Sequence, residues 1–294
     1  MKHPSEETIK NLKRLVKDYE GITELIKQSK QRIRAKNSDH SKSDQDEIIK
    51  YDIIINGESG KKRESQGLEQ IKGRISRMIE KELEFWPIWT DWMKSIPGVG
   101  PAIAAPLILL YYYSFVPVCP DCNTELVKQD GTHWCETCQK SVKGEGMSTH
   151  ALKYKHFPNI SAWRKYMGYH IVDGKMPKRQ KGQQVNWNPK GRVIGYLIKD
   201  SFNRRPDGHL YADFMKRKKA RYNNDPAYKD YTKGHIHNMA HHQTVKLFLS
   251  HFWDVAQRLD GVENPAKPWL IQFGGHTKYI PPYYWEDEQA EKAA

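Results

Sequence analysis

Four cysteines, grouped as two Cys-x-x-Cys pairs, constrain this chain more than any other sequence feature. Cys119 and Cys122 form CPDC, Cys135 and Cys138 form CETC, and 12 residues separate the pairs; the chain has no other cysteine. Four thiolates at this spacing complete the tetrahedral shell of one structural zinc ion. Two disulfides are the first alternative, which the absence of a secretory signal disfavours, and a redox pair is the second, which needs no twin.

Positive charge is the second constraint. The chain has 294 residues with 48 Lys and Arg against 35 Asp and Glu, and residues 174–221 hold 14 basic but only three acidic side chains. This excess predicts a polyanionic partner bound through phosphate neutralisation and counterion release, and a charge that serves only solubility is the alternative. No apolar run reaches bilayer-spanning length and no signal peptide is visible, so we expect a cytoplasmic, nucleoid-associated protein without membrane contact.

The candidate contacts to DNA or structured RNA follow from this distribution. They are Lys175, Lys178, Arg179, Lys181, Lys190, Arg192, Arg204, Arg205, Lys216, Arg217, Lys218 and Lys219. Aromatic residues occur among them, namely Trp163, Tyr166, Tyr169, Trp187 and Tyr196. Such residues stack on bases in single-strand and RNA-binding proteins, and they serve equally well as core residues.

Two N-terminal stretches have the spacing of apolar residues that is typical of helices. The first spans residues 5–35, and the second begins at Leu68 and reaches Trp86. They predict an antiparallel coiled-coil hairpin, or pairing between two chains, and we expect a homodimer. The polar segments between them, around an apolar island at residues 48–55, predict a flexible connection.

A glycine-rich turn follows within residues 89–113, which predict a helix, a tight turn and a second helix. Gly98 and Gly100 allow close approach of the backbone to a ligand, and Pro101 suits the first position of a helix. The backbone N–H groups around Gly98, Val99 and Gly100 then face an anion such as a DNA phosphate. This is the pattern of a helix-hairpin-helix motif, and an αα-corner with glycine used for packing is the alternative.

Five segments occur in order along the chain: SIPGVGPAIAAPLI, FPNISAWRKYMGYHIVDG, NPKGRVIGYLIKDSF, LYADFMKRKK and GHIHNMAHHQTVKLFLSHFW. Together with the predicted hairpin, they resemble the C-terminal half of the Piv/MooV-type transposases, the bridge-RNA-guided recombinases of the one-ten insertion-sequence family. The resemblance covers well over half of the chain. It implies the nucleic-acid-binding helical fold of a mobile-element protein.

The chain departs from that family at its catalytic groups. The family's RNase-H-like domain with four acidic residues does not fit into the roughly 90 residues before Pro97. The family's nucleophilic serine belongs to a Ser-Gly pair, whereas the corresponding pair here is Lys181-Gly182, and no serine lies between Ser161 and Ser201. We therefore expect no catalytic residue, and we expect Ser201 to face solvent or to cap a turn.

Histidines on the last predicted helix are a further candidate group. His237 and His241 stand four residues apart, a spacing that can hold a metal, but no glutamate completes an HExxH pattern. Capping, phosphate contacts and helix packing are the alternatives.

We predict a mainly α fold with a coiled-coil hairpin (residues 1–88), a helix-hairpin-helix (89–116), a zinc ribbon (117–145), a basic transposase-like helical domain (146–262) and a Pro/aromatic tail (263–294). The expected function is nucleic-acid binding without catalysis by this chain alone. A recombinase subunit with a separate RNase-H-like partner and a structural subunit of a ribonucleoprotein are the alternatives.

Overall fold

The computed structural model describes residues 3–37, 42–57, 67–129, 132–142, 150–172, 174–275 and 278–285. The fold is mainly helical, with two small antiparallel sheets and a cluster of cysteines, as the sequence predicted at this level of detail. Two compact units are present: unit 1 comprises Met1–Pro106, Ile194–Pro265 and Ile280–Ala294, and unit 2 comprises Leu107–Val193 and Ala266–Tyr279. None of the described helices combines the length and the apolar character needed to cross a membrane.

The helices follow one another along the chain as α1 (Glu6–Asn37), α2 (Lys42–Asn56), α3 (Leu68–Leu83), α4 (Pro87–Thr90), α5 (Pro101–Tyr112), α6 (Ile160–Tyr166), α7 (Pro189–Asn203), α8 (Leu210–Asn224), α9 (Lys233–Leu259) and α10 (Trp269–Gln272). Short 3₁₀ turns occur at Met93–Ser95 and Pro226–Tyr228. The strands are β1 (Tyr113–Pro117), β2 (Val127–Gln129), β3 (Thr132–Cys135), β4 (Lys140–Val142) and β5 (His150–Tyr154).

The first two predicted helices are present as α1 and α3, and they run antiparallel. Near one end Asn11 Nδ2 donates to Glu82 Oε1, and near the other Lys30 Nζ lies 3.0 Å from Glu69 Oε1. Apolar residues at helical spacing, including Ile9 and Leu12 of α1, are buried because they form the inner face of this pair.

The predicted flexible connection instead contains helix α2, which packs against α1. Ile55 at the end of the apolar island is buried, and the Arg32 guanidinium lies 5.7 Å from the ring centre of Tyr51. The chain then returns closely, since a Cβ on Gly67 would lie only 2.3 Å from the Ile55 carbonyl oxygen. Ile49, Ile53 and Ile54 remain exposed, so it is the contacts of α2 with α1, rather than burial of the whole island, that support a short helix which would be marginal alone.

Helix α9 forms the core of unit 1. From Thr244 to Gln257 its residues are buried on nearly every side, except for Lys246 and Leu247. The Trp92 ring stacks on Phe248 at a centroid distance of 5.7 Å, and Trp92 Nε1 donates to the Tyr283 carbonyl at 2.7 Å. His251 also holds the tail: its Nε2 lies 3.1 Å from the Ile280 carbonyl. The tail predicted at residues 263–294 therefore contributes residues 280–284 to a packed core.

Unit 2 contains both sheets. β1 pairs antiparallel with β5, with Phe115 opposite Leu152, and β2, β3 and β4 form a three-stranded antiparallel sheet in that order. An aromatic core lies beside α6, where the buried Trp163 ring meets Tyr111 at 5.0 Å and Phe157 at 5.0 Å. These rings form an aromatic core within unit 2.

A loop between α6 and α7 is closed by Gly168, Trp187 and Arg192. Gly168 has φ of +76°, and a Cβ there would lie 2.7 Å from Trp187 Cδ1. Arg192 donates to the carbonyls of Gly168 and Pro177 at 2.9 and 3.0 Å. Glycine is required at position 168 for two reasons, its backbone conformation and the space occupied by the indole.

We predict that Gly168→Ala lowers the free energy of unfolding by about 2–4 kcal/mol, since a left-handed conformation costs about 1–2 kcal/mol and overpacking about 1–3 kcal/mol. The matched control is Gly182→Ala in the same loop, which has φ of +78° but open space around its Cβ position. Urea denaturation should show the smaller loss for the control. Equal losses in the two variants would contradict the role of Trp187.

Candidate metal centre and basic surfaces

The four cysteines meet beside the three-stranded sheet. Cys119 and Cys122 precede β2, Cys135 ends β3, and Cys138 lies just before β4. Cys119 Sγ lies 3.8 Å from Cys138 Sγ, Cys122 Sγ lies 3.5 Å from Cys135 Sγ, and all four sulfurs are within 4.8 Å of one another. The sequence prediction that these residues converge is confirmed, and the cluster could hold a metal ion.

The spacing of the sulfurs can be compared with that of a tetrahedral thiolate site. Zinc–sulfur bonds of about 2.3 Å place the ligands of a tetrahedron about 3.8 Å apart. The measured contacts are close to this value, and all four ligands come from the protein. The cluster is therefore compatible with zinc, and it would leave an ion no open coordination position for chemistry.

Both cysteine pairs end in the same type of turn. Asn123 and Gln139, each the first residue after its pair, have φ of 58° and 50°, in the left-handed region. This turn brings backbone N–H groups towards the sulfurs, and the Cys138 N–H donates to Cys135 Sγ at 3.3 Å. A left-handed residue other than glycine is strained, so the repeated turn indicates that the four-sulfur geometry dominates local preference.

The thiols of the cluster differ in acidity. The Thr124 hydroxyl, 3.3 Å from Cys122 Sγ, lowers the pKa of that thiol to about 6. The hydrogen bond with Cys122, together with burial, raises the pKa of Cys138 to about 12. Without a cation, the four thiols therefore do not all lose their protons at neutral pH, and a divalent cation supplies the charge that lets them do so.

The glycine turn before α5 lies against the end of α7. Gly98 has φ of +97°, and its carbonyl accepts a hydrogen bond from Ser201 Oγ at 2.6 Å. A Cβ on Gly98 would lie 2.8 Å from Ser201 Oγ. Ser201 was expected to face solvent or cap a turn; instead it joins α7 to a turn 103 residues earlier. No local sequence pattern could reveal this contact. Arg205 Nε is also close, 3.5 Å from the same Cβ position.

The three residues of this turn differ in what they offer to an anion. Val99 is buried, and its N–H already donates to the Ile96 carbonyl at 3.0 Å. The Gly100 carbonyl accepts the Ile103 and Ala104 N–H groups, so Gly100 caps α5. The N–H groups of Gly100 and Ala102 remain as the donors that a helix start directs outwards.

The predicted basic contacts of unit 1 lie just after α7 and on α8. Arg204 pairs with Asp200, and Lys216 pairs with Asp207. Lys218 and Lys219 form no ion pair with any described residue. Burial, and secondarily Arg221, lowers the pKa of Lys218, whose Nζ lies 5.3 Å from the Phe214 ring centre.

The predicted basic contacts of unit 2 divide into two kinds. Lys178, Arg179 and Lys181 are exposed in the loop before α7, as is Lys175, whose N–H pairs with the Val172 carbonyl. The N-terminal turn of α7 holds the exposed Lys190, whose N–H donates to Asn188 Oδ1 at 2.9 Å. Arg192 of α7 instead holds the preceding loop together, and its guanidinium also lies 5.7 Å from the Trp187 ring centre.

The aromatic residues near the basic stretch also divide. Trp163 and Tyr169 are buried, Tyr166 and Trp187 are partly buried, and Tyr196 is 55% exposed. Tyr166 Oη accepts hydrogen bonds from Lys155 Nζ at 3.0 Å and Asn188 Nδ2 at 2.8 Å. Trp163 and Tyr169 therefore serve as core residues, and Tyr196 has the exposed ring that base stacking needs.

The histidines of α9 occupy different environments. His251 is buried and Tyr211 Oη lies 2.8 Å from its Nδ1, whereas the His235 N–H donates to the capping Thr232. The rings of His237 and His241 lie 3.9 Å apart. Within the described parts of the chain, the four cysteines are the one group of three or more His, Cys, Asp or Glu side chains arranged to share a metal ion.

We predict that the purified chain contains about one tightly bound metal ion and that Cys135→Ser loses it, because three thiolates and a hydroxyl bind a soft cation more weakly. Elemental analysis measures the content, and circular dichroism should show that the helices remain. Ser141→Ala on neighbouring β4 is the control and should keep the metal. A metal-free wild-type chain with a folded three-stranded sheet would refute the site.

Three comparisons complete the description of the candidate sites. Neither the known family models, nor the curated proteins, nor the solved structures include a match to this chain. The resemblance to insertion-sequence transposases therefore stays a prediction from sequence segments.

Proposed function

We propose that this chain binds nucleic acid through exposed basic residues and carries a structural zinc ion. The observation that supports binding most directly is that the three carboxylates in residues 174–221 already have partners within the protein. Asp200 and Asp207 each pair with a neighbouring cation, and Asp213 accepts the Gly208 N–H at 3.1 Å. The stretch has 14 basic side chains against these three carboxylates, so it carries a large excess of positive charge. A polyanion balances this charge with a gain in counterion entropy.

Two groups of neighbouring cations occur in this stretch. The α8 basic group consists of Lys216, Arg217, Lys218 and Lys219, and the loop basic group consists of Lys178, Arg179 and Lys181. Both groups offer flexible charged side chains rather than a shaped groove for base edges. Contacts of this kind are made with phosphates, so they position a protein on nucleic acid without reading its sequence.

Zinc is the ion that best suits the cysteine cluster. Four thiolates in tetrahedral arrangement form the donor set of structural zinc sites. The sheet around them has a small core, in which Leu126 and Val142 are the buried apolar residues other than cysteines. This small apolar surface cannot offset the loss of chain entropy when the strands fold. The ion would therefore hold the strands together, and it would take no part in a reaction.

The glycine turn supplies a possible third phosphate contact. The Gly100 and Ala102 N–H groups at the start of α5 are suited to an anion, and Arg205 lies near the same turn. This arrangement supports the helix-hairpin-helix interpretation of residues 89–116. The N–H group suited to the anion is that of Gly100, because the Val99 N–H already donates to the Ile96 carbonyl within the turn.

We further propose that the chain is a relative of insertion-sequence transposases that lacks catalysis of its own. The segments that carry the resemblance contribute to α5 through α9, and α7 and α8 bear six of the predicted contacts. A recombinase subunit would instead transfer strands once an RNase-H-like partner is added. A ribonucleoprotein subunit would co-purify with one defined RNA, so sequencing the bound nucleic acid separates these functions. The proposed homodimer is checked by light scattering.

We predict that changing the α8 basic group to glutamine weakens duplex binding and flattens its dependence on salt. Each lost phosphate contact reduces the log–log slope by roughly 0.9. The control changes Lys10, Arg14, Lys17 and Lys27 of α1 to glutamine, which removes the same charge from another exposed helix face. Fluorescence anisotropy at several salt concentrations measures both variants. An equal effect in the two would show that net charge, not the α8 surface, governs binding.

We predict that Gly100→Ala weakens nucleic-acid binding without loss of folding, because its added Cβ meets nothing within 4 Å but stands where a phosphate would approach. Gly234→Ala, in the first turn of α9 and also in open space, is the matched control and should bind normally. Anisotropy titration compares the two at one salt concentration. Unchanged affinity of Gly100→Ala would remove the glycine turn from the proposed surface.

A further inference from the structure

Four aromatic rings follow one another from the end of α8 to the first turn of α9, all within unit 1. The ring centres of Tyr222 and Tyr228 lie 5.0 Å apart, and those of Tyr228 and Tyr231 lie 5.6 Å apart. The last pair is the closest, with 4.6 Å between the ring centres of Tyr231 and His235. We refer to these four residues as the aromatic row.

Burial decreases along the aromatic row. Tyr222 is 8% exposed and belongs to a small buried core that α8 and α9 share, and Tyr228 packs against that core. Tyr231 is 45% exposed although its ring contacts two others, and His235 is exposed as well. The inner rings therefore serve packing, whereas the outer two present aromatic surface to solvent.

The relative orientation of the two outer rings leaves room for a flat ligand. The planes of Tyr231 and His235 are inclined to each other by 55°. Rings at this inclination do not lie flat on one another, so each covers only part of the other's face. The remaining face of an exposed ring is the surface on which a planar group stacks.

Hydrogen bonds on both sides fix the backbone that carries these two rings. The Tyr231 N–H donates to the Tyr228 carbonyl at 3.0 Å, directly after the 3₁₀ turn. Thr232 caps α9, since its Oγ1 accepts the His235 N–H at 3.2 Å and its carbonyl accepts the Ile236 N–H at 3.0 Å. Rings held in this way lose little conformational freedom when a ligand binds, and this favours binding.

The charge of the surrounding chain indicates which planar ligand fits. Residues 216–235 hold seven basic side chains against two acidic ones, and Lys229 and Lys233 on either side of Tyr231 are both exposed. Of the two carboxylates, Asp225 accepts the Ala227 N–H at 3.0 Å, and Asp230 is exposed. A neutral sugar also stacks on aromatic rings but offers nothing to the positive charge, whereas a nucleic-acid strand offers flat bases and phosphates together.

We propose that Tyr231 and His235 form a stacking site for an unpaired base of a single-stranded nucleic acid. This inference rests on the proposed nucleic-acid binding and adds to it a contact that a duplex cannot make, because the bases of a duplex cover one another's faces. Every base has a flat face, so the site accepts a strand without regard to its sequence.

The experiment measures, by fluorescence anisotropy, the binding of a labelled single strand to full-length wild type, Tyr231→Ala and Tyr231→Phe. We expect Tyr231→Ala to weaken binding by about 5- to 150-fold, the loss that removal of one stacking ring causes, and Tyr231→Phe to bind as wild type does. Tyr154→Ala is the matched control, because Tyr154 of β5 is a similarly exposed tyrosine at 56%, and it should keep the affinity.

Two further probes separate stacking from charge. An abasic strand of the same length keeps the phosphates without the bases, so we expect wild type to bind it more weakly than the intact strand and Tyr231→Ala to cause no further loss. Duplex binding should be the same in wild type and Tyr231→Ala. A single strand that contains 5-iodouracil should cross-link to Tyr231 or His235 on irradiation, and mass spectrometry of the peptides locates the adduct.

The outcomes distinguish the stacking site from the proposed function. Wild type that binds intact and abasic strands equally, with adducts on other residues, would overturn the stacking site and leave binding through phosphates intact, whether or not Tyr231→Ala folds. Absence of binding to single strand, duplex and structured RNA alike would overturn the proposed function itself. Affinity for a neutral oligosaccharide that Tyr231→Ala abolishes, without affinity for single strands, would reassign the two rings to sugar binding.

Discussion

Burial of α9 on nearly every side is the constraint on which unit 1 depends. A helix of 27 residues whose second half is apolar or buried polar all round needs neighbours on every face. Trp92 from the segment before the glycine turn, Phe202 from α7 and Tyr211 from α8 supply these neighbours, and Phe202 stacks on Tyr211 at 4.7 Å. Each buried ring contributes about 2–3 kcal/mol by leaving water, so the position of α7 and α8 is strongly determined.

The basic surface is a consequence of this packing. α8 buries Tyr211, Phe214 and Met215 towards the core, so Lys216 and Arg217, the next two residues, point to solvent. Tyr211 also reaches His251, whose Nε2 donates to the Ile280 carbonyl and whose Nδ1 therefore accepts from the tyrosine. A hydrogen-bonded core thus holds the helix that carries the α8 basic group.

Unit 2 depends on a different kind of interaction. Its three-stranded sheet has few buried apolar residues, and the four sulfurs lie at its centre. Its aromatic core lies elsewhere, around Trp163, and its exposed loop is closed by the contacts of Arg192. The basic residues of this region therefore have two different roles. Arg192 donates to backbone carbonyls of the loop before α7, whereas Lys178 and Arg179 of that loop are exposed to solvent.

The sequence by itself determined the features that depend on spacing and composition. Two Cys-x-x-Cys pairs were sufficient to predict the four-sulfur cluster, and apolar periodicity was sufficient to predict α1 and α3, because both patterns act within short stretches of chain. The charge excess of residues 174–221 was equally visible. The nucleic-acid partner inferred from it, and the relation to transposases, remain proposals.

Only the tertiary structure decided which of several similar residues is free to act. Arg192 and Lys181 look alike in the sequence, but Arg192 meets two carbonyls and an indole that the fold brings to it. Ser201 joins a turn 103 residues away, and the island at residues 48–55 belongs to helix α2, which contacts α1. Contacts between distant segments depend on how buried surfaces fit, and local patterns carry no record of that fit.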